Sequence, residues 1–161
     1  DLMGFVKYCA YNNVIKEKLL KKGKKTSVFS SIALKLIDYY EKPIKEALKD
    51  TKYRSTTNIY ELAHNVEGIL STGNQTGEGW FLTAEMVELI KDGVENIVCV
   101  QPFACLPNHI VGKSVIKKLR SVYPNANIVA IDYDPGASHT NQVNRIKLML
   151  TVAKEKQEKD K

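Results

Sequence analysis

The sequence predicts an α/β protein: a helix-rich first half, then a βαβα unit holding a short parallel sheet. Three observations carry this. Apolar residues recur at spacings of three and four through about residue 70, the mark of amphipathic helices. Two short runs rich in β-branched residues, "NIVCVQ" (Asn96–Gln101) and "NIVAID" (Asn127–Asp132), read as strands. A helical stretch separates these runs and another follows the second, an order that places consecutive strands in parallel.

From about Leu2 to Lys22, Phe5, Val6, Cys9, Ala10, Val14, Ile15 and Leu19 form one apolar helix face, and Gly23 among lysines suits its end. Ser30 or Ser31 is placed to cap a second helix through Leu48, with Ile32, Leu36, Ile37, Tyr40, Ile44 and Leu48 inward. Pro43 predicts a kink or break in it. Thr56 or Thr57 opens a third helix to about Leu70, with Ile59, Leu62, Ala63, Val66 and Ile69 or Leu70 on its inner face. Three glycines in "STGNQTGEGW" mark a loop. Thr83 reads as the cap of a helix ending at Asp92 and Gly93, with Glu85 well placed for the helix dipole.

"NIVCVQ" reads as a strand covered on both faces. A helix over roughly Asn108 to Tyr123 follows, with Ile110, Val111, Val115, Ile116 and Leu119 inward. "YPNA" breaks the chain before the second strand. Ser138 is placed to cap a last helix with Val143, Ile146, Met149, Leu150 and Ala153 inward. The helical part spans 1–92 and the βαβα part 93–155, together one α/β domain of Rossmann or flavodoxin-like type. Two strands make a thin sheet, so a further strand is expected in the first half or from chain outside these residues, and the domain reads as partial.

At 161 residues, with 43% apolar and 26% charged residues, the composition is that of a globular domain able to bury a core. No apolar run approaches the roughly 20 residues of a membrane helix, and no signal segment opens the chain. It begins at Asp1 and ends in the polar "KEKQEKDK", which suggests a piece of a longer protein. Three widely spaced cysteines, Cys9, Cys99 and Cys105, argue against a disulfide framework and for the cytoplasm. The net charge of +6 owes much to Ile15–Ser27. That run lacks the interleaved aromatics of a single-strand binder, and a solvated helix face accounts for it better than nucleic acid does.

The informative chemistry follows the strands. "QPFACLPNH" and "YDPGASHTN" both leave the carboxyl ends of parallel strands, where open α/β sheets bind ligands. Cys105 has three readings: metal or cluster ligand, nucleophile, or inert packing. No Asn or Asp is placed to complete a nucleophilic site, and zinc wants about four ligands. Cys99 and Cys9 read as core. His109 caps the next helix or faces a ligand; His64 reads as structural and His139 as solvated. Asp132 and Asp134 could form a like-charged pair suited to acid–base work, though a "DPG" turn is the plainer account of Asp134. Arg145 suits a carboxylate or phosphate, or a surface acid. "TGEGW" lacks a phosphate-loop pattern in context and reads as a tight turn.

From "GEGW" through "LTAEMVELIKDGVENIVCVQPFACLPNH" to "IDYDPG" and "NQVNRIKLML", the chain resembles the C-terminal end of CoA-substrate-specific enzyme activases of anaerobic bacteria. It is also similar to the C-terminal part of the 2-hydroxyacyl-CoA dehydratase D-component family. The likeness covers about Gly77 to Ala153. Ala104 stands where glycine is expected, and residues 1–70 share only helical character. The resemblance implies an iron–sulfur cluster in the full-length protein, held by cysteines from more than one α/β domain, with Cys105 at the position of the last. It implies an upstream ATPase domain and an upstream cysteine-bearing domain as partners, with a dehydratase or a CoA ester as a further one. The rest of the site would be Gln101, Asn108 and His109 in the first loop and Asp132, Asp134 and Ser138 in the opposite wall. The isolated chain is expected to hold no cluster and to perform no catalysis; the alternative is a metal-free module that docks a CoA ligand or a partner.

Overall fold

The computed structural model describes residues 2–53, 55–102, 104–134 and 136–159. Phe103 of the first loop and Pro135 of the second lie outside them, as do Asp1 and the last two residues of the polar tail. The elements run α1 (Leu2–Leu20), α2 (Lys24–Leu48), α3 (Ile59–Asn65), α4 (Gly79–Lys91), β1 (Asn96–Gln101), α5 (Leu106–Asn108), a π-helical turn (His109–Lys113), α6 (Ile116–Val122), β2 (Asn127–Asp132) and α7 (His139–Lys159). The architecture is α/β, mostly helical, with a small parallel sheet. Among the described residues no helix is long and apolar enough to cross a membrane.

α1 and α2 form a hairpin that turns at Gly23 (φ 81°), the left-handed conformation glycine adopts without strain. The lysines of the basic run flank this turn, exposed. α2 begins at Lys24, well before Ser30 and Ser31, which lie inside it. Ser30 is buried and accepts a hydrogen bond from Asn13 Nδ2 at 3.0 Å. The helix continues unbroken through Pro43. The expected inner faces are also corrected. α1 buries Gly4, Lys7, Tyr8 and Ile15, leaving Phe5, Val6, Cys9 and Leu19 exposed. α2 buries Ser27, Ser30, Leu34 and Glu41, leaving Ile32, Leu36, Tyr40 and Ile44 outside. The cause lies between the helices. Lys7 Nζ bonds Glu41 and lies 2.8 Å from Asp38 Oδ1, and a buried ammonium must face its counter-charges. Burial alone would lower the Lys7 pKa; the bonds and charges of Asp38 and Glu41 outweigh it and hold the pKa above the ordinary lysine value.

α3 is short, capped by Asn58, whose Oδ1 accepts from Tyr60 N at 2.9 Å. It buries Ile59, Leu62 and Ala63 as its pattern predicts. α4 starts at Gly79 rather than at Thr83. Thr83 is buried and donates to Val111 O at 2.5 Å, joining α4 to the π-helical turn. Gly79 (φ 49°) is required: a Cβ there would lie 2.2 Å from Tyr8 Oη and 2.3 Å from Asn74 O. Tyr8 anchors the first core, with Trp80 and Phe81 rings at 5.3 and 5.5 Å, and Trp80 Nε1 donates to Asn12 Oδ1 at 2.9 Å.

β1 and β2 pair in parallel, Asn96 opposite Asn127 and Gln101 opposite Asp132. Ile97 and Cys99 enter a second core with Met86, Val87, Val115, Leu119 and Ile128. β1 is covered on one face only, because α7 packs mainly against β2; Val98 and Val100 are exposed. The expected helix over Asn108–Tyr123 is interrupted: Ser114 N bonds His109 O at 2.9 Å, a five-residue span, and Ile110 points outward. The π turn passes close to β1, so that a Cβ on Gly112 would lie 3.1 Å from Cys99 Sγ. On α7, Met149 is buried while Leu150 is exposed.

Candidate functional site at the carboxyl ends of β1 and β2

The two strands run the same way side by side, so the loops leaving Gln101 and Asp132 emerge at one end of the sheet. They are joined there. Gln101 is only 1% exposed, and its Nε2 donates to Asp132 Oδ1 at 2.5 Å. Lys113 Nζ of the π turn stands 3.9 Å from Asp132 Oδ2. The Gln101 bond, with the charges of Lys113 and Arg145 nearby, outweighs burial and holds the Asp132 carboxyl below its usual pKa. Asp134 Oδ1 accepts from Gly136 N at 2.7 Å, the local turn that the plainer reading of "DPG" expects.

Ala104 in the first loop has a φ of 56°, in the left-handed region that glycine adopts more readily. Cys105 precedes α5 and is partly exposed. His109 N bonds Cys105 O at 3.0 Å, closing the loop onto the π turn. Asn108 is 5% exposed. Its Oδ1 and Gln101 Oε1 are buried acceptors with no donor among the described residues, an arrangement that ordinarily costs free energy. Cys99 is core, as its mid-strand place predicts, and burial pushes its thiol pKa up.

In the second loop Ser138 caps α7, its Oγ accepting from Asn141 N at 3.4 Å. Asp132, Asp134 and Ser138 line one cleft of about 430 Å³ together with Arg145. Gln101, Asn108, His109 and Cys105 do not line it; Asp132 links the two groups. Arg145 Nη1 donates to Ala130 O at 3.0 Å, and its charge acts on Asp132 across the same cleft. His64 is exposed, 3.1 Å from Glu67 Oε2, and His139 is exposed as expected.

The "TGEGW" turn packs beside the Cys105 loop, which its composition alone did not indicate. A Cβ on Gly77 (φ 61°) would lie 3.1 Å from Pro107 Cβ, so this turn abuts the Cys105 loop. Tyr8 Oη donates to Gln75 O and Gly77 O at 3.0 and 3.1 Å, holding the turn from α1. Among the described residues no three His, Cys, Asp or Glu side chains gather as a metal site, so Cys105 stands as a single potential ligand. No protein-family model, curated protein or solved structure matches this chain.

Proposed function

We propose that this chain is the C-terminal part of a CoA-substrate-specific activase or 2-hydroxyacyl-CoA dehydratase-like protein. In it the chain lends Cys105 and one wall to an iron–sulfur cluster used for low-potential electron transfer. The carrying observation is the position of Cys105: partly exposed, in a tight loop leaving one of two adjacent parallel strands, with the Asp132–Ser138 turn leaving the other. The residues suit one thiolate ligand and no more. Clusters of this kind are ordinarily held by about four cysteines. The others would come from an upstream cysteine-bearing domain, with an ATPase domain driving the electron, in the cytoplasm. On this reading the two strands belong to a larger sheet of Rossmann or flavodoxin-like type.

The test is anaerobic reconstitution of the full-length protein, with iron analysis and electron paramagnetic resonance before and after Cys105→Ser. The expected result is a changed or lost cluster signal and reduced iron content. An identical spectrum with undiminished iron removes Cys105 from the role. The cleft of Asp132, Ser138 and Arg145 favours a second reading, a metal-free module that docks a CoA ester. A thermal-shift series with CoA esters separates the two, since that reading requires a shift that Arg145→Ala abolishes.

A further inference from the structure

α2 packs chiefly on α1, so its far side is turned to solvent. On that side Phe29, Ile32, Leu36, Tyr39, Tyr40 and Ile44 are each more than half exposed. Lys25, Ile32 and Tyr39 are seven residues apart, as are Phe29, Leu36 and Pro43, a spacing that keeps to one line along a helix. At about 100° per residue, this line runs roughly 180° round the axis from the buried Ser27, Leu34 and Glu41. From Val28 to Ile44 the stripe is convex, continuous and about 25 Å long.

Its charge is of one sign. Every exposed side chain from Lys24 to Ile44 is apolar, aromatic, lysine or threonine. The two acids within that span, Asp38 and Glu41, turn toward Lys7. Glu46 lies past the stripe, where it meets Lys49 at 2.8 Å. The exposed cations are Lys24, Lys25, Lys35 and Lys42, with Lys42 Nζ 5.8 Å from the centre of the Tyr39 ring. The stripe begins at the hairpin tip, where Ile15–Ser27 carries six lysines, all exposed, and one glutamate.

This composition selects the occupant. A second copy would set lysine against lysine along the stripe. Duplex nucleic acid offers phosphates but no apolar layer to receive Phe29, Ile32 and Leu36. Protein interfaces are enriched in arginine and poor in lysine, and every cation of the hairpin is lysine. A bilayer with anionic headgroups meets both demands. Apolar side chains enter the boundary between headgroups and acyl chains, while lysines reach the headgroup phosphates on flexible stems.

We propose that the outer face of α2, with the lysine-rich tip of the hairpin, docks in the plane of an anionic membrane surface. The helix lies on the bilayer and does not cross it. The contacts of Lys7 serve this face by holding both acids of the span off the stripe. The inference concerns neither the Cys105 loop nor the strand ends, and it stands apart from the cluster reading.

The probe is a vesicle of phosphatidylcholine with or without phosphatidylglycerol, and the readout is co-flotation. The chain floats with the anionic vesicles and binds the zwitterionic ones at least about tenfold more weakly. Raised salt releases it. Lys24→Gln with Lys25→Gln weakens binding about 30-fold, and Phe29→Ser with Leu36→Ser about 100-fold. Thermal melts stay close to the parent's, because all four side chains are exposed. A second readout needs no loss of binding. Brominated phosphatidylglycerol quenches the emission of Phe29→Trp but not that of the parent, whose one tryptophan, Trp80, is buried. The proposal is overturned if the chain fails to float with anionic vesicles, or if Phe29→Ser with Leu36→Ser floats as the parent does. Concentration-dependent dimerisation abolished by that double variant would assign the stripe to a second copy instead. Flotation by this chain that is lost in the full-length protein would assign it to a neighbouring domain, and either result sinks the membrane reading.

Discussion

In the α1–α2 hairpin the side chains turned inward include Lys7, Glu41, Ser27 and Ser30, while Phe29 is 73% exposed and Ile32, Leu36 and Tyr40 also face out. Around β1 and β2 the inward side chains are Ile97, Cys99, Val115, Leu119 and Ile128, while Val98, Val100, Ile110, Leu148 and Leu150 are among the apolar ones left outside. In the second region most of the expected apolar positions of the strands and of α6 reach the core; in the hairpin only Ile15 of the expected faces is fully buried, and Tyr8 and Leu34 take the inner places instead. Periodicity identifies which face of a helix is apolar, but its direction is decided by what else must be buried. An ion pair inside the hairpin turns the helices about their axes, and the apolar stripe goes outside.

The contrast can be broken most severely where the two regions meet. Gly79→Ala forces a Cβ into Tyr8 Oη and Asn74 O, and urea unfolding should show a loss of about 4 kcal/mol. A loss under 1 kcal/mol would mean that the junction is soft.

Next comes the hairpin interior. Lys7→Met leaves the buried Glu41 carboxylate with only Lys45, 3.4 Å away, and should cost about 3 kcal/mol, whereas Lys7→Met with Glu41→Leu should recover most of it. The pH dependence has a definite sign. The Lys7 pKa is raised on folding, so its contribution is complete below the ordinary lysine value and is lost as pH rises through the folded one. The double variant should lose this alkaline sensitivity in thermal melts. If the single variant is as stable as the parent, the ion pair does not set the hairpin's orientation.

In the βα region, Asp132→Asn should cost about 1 kcal/mol at neutral pH through the weakened Gln101 bond. The Asp132 pKa is lowered on folding, so its contribution is present above the usual carboxylate value and is lost as pH falls through the folded one. Acid melts of parent and variant should therefore converge at low pH; parallel curves would mean that the carboxylate is not held. The smallest effect belongs to the outer stripe. Phe29→Ser should change stability by less than about 0.5 kcal/mol, although a phenylalanine buried in a core would cost several times that. A large loss would show that the stripe is covered in solution.

Both strands are legible to the residue, because short β-branched runs bounded by polar turns have few other readings. The start of α2 is not. Ser30 and Ser31 look like caps, while the real start needs only the left-handed Gly23, whose conformation no side chain announces. Thr83 misleads in the same way, since its hydroxyl is used across the core on Val111 O. At the site, the strand-end rule locates the Cys105 loop and the Asp132 turn from sequence. The Gln101–Asp132 bond is not readable, because it depends on the register of residues 31 apart. Gly77 beside Pro107 is likewise a tertiary fact, and the helix pattern around Asn108 hides a π turn because it differs from an α-helix by one residue of hydrogen bonding.

The phenol of Tyr8 gives the molecule a mechanical continuity. One hydroxyl grips two carbonyls of the 71–78 turn, that turn rests on Pro107, and Pro107 is two positions from the thiol. The first helix and the Cys105 loop are therefore not independently placed: a change that moves Tyr8 moves the turn against which Pro107 is packed.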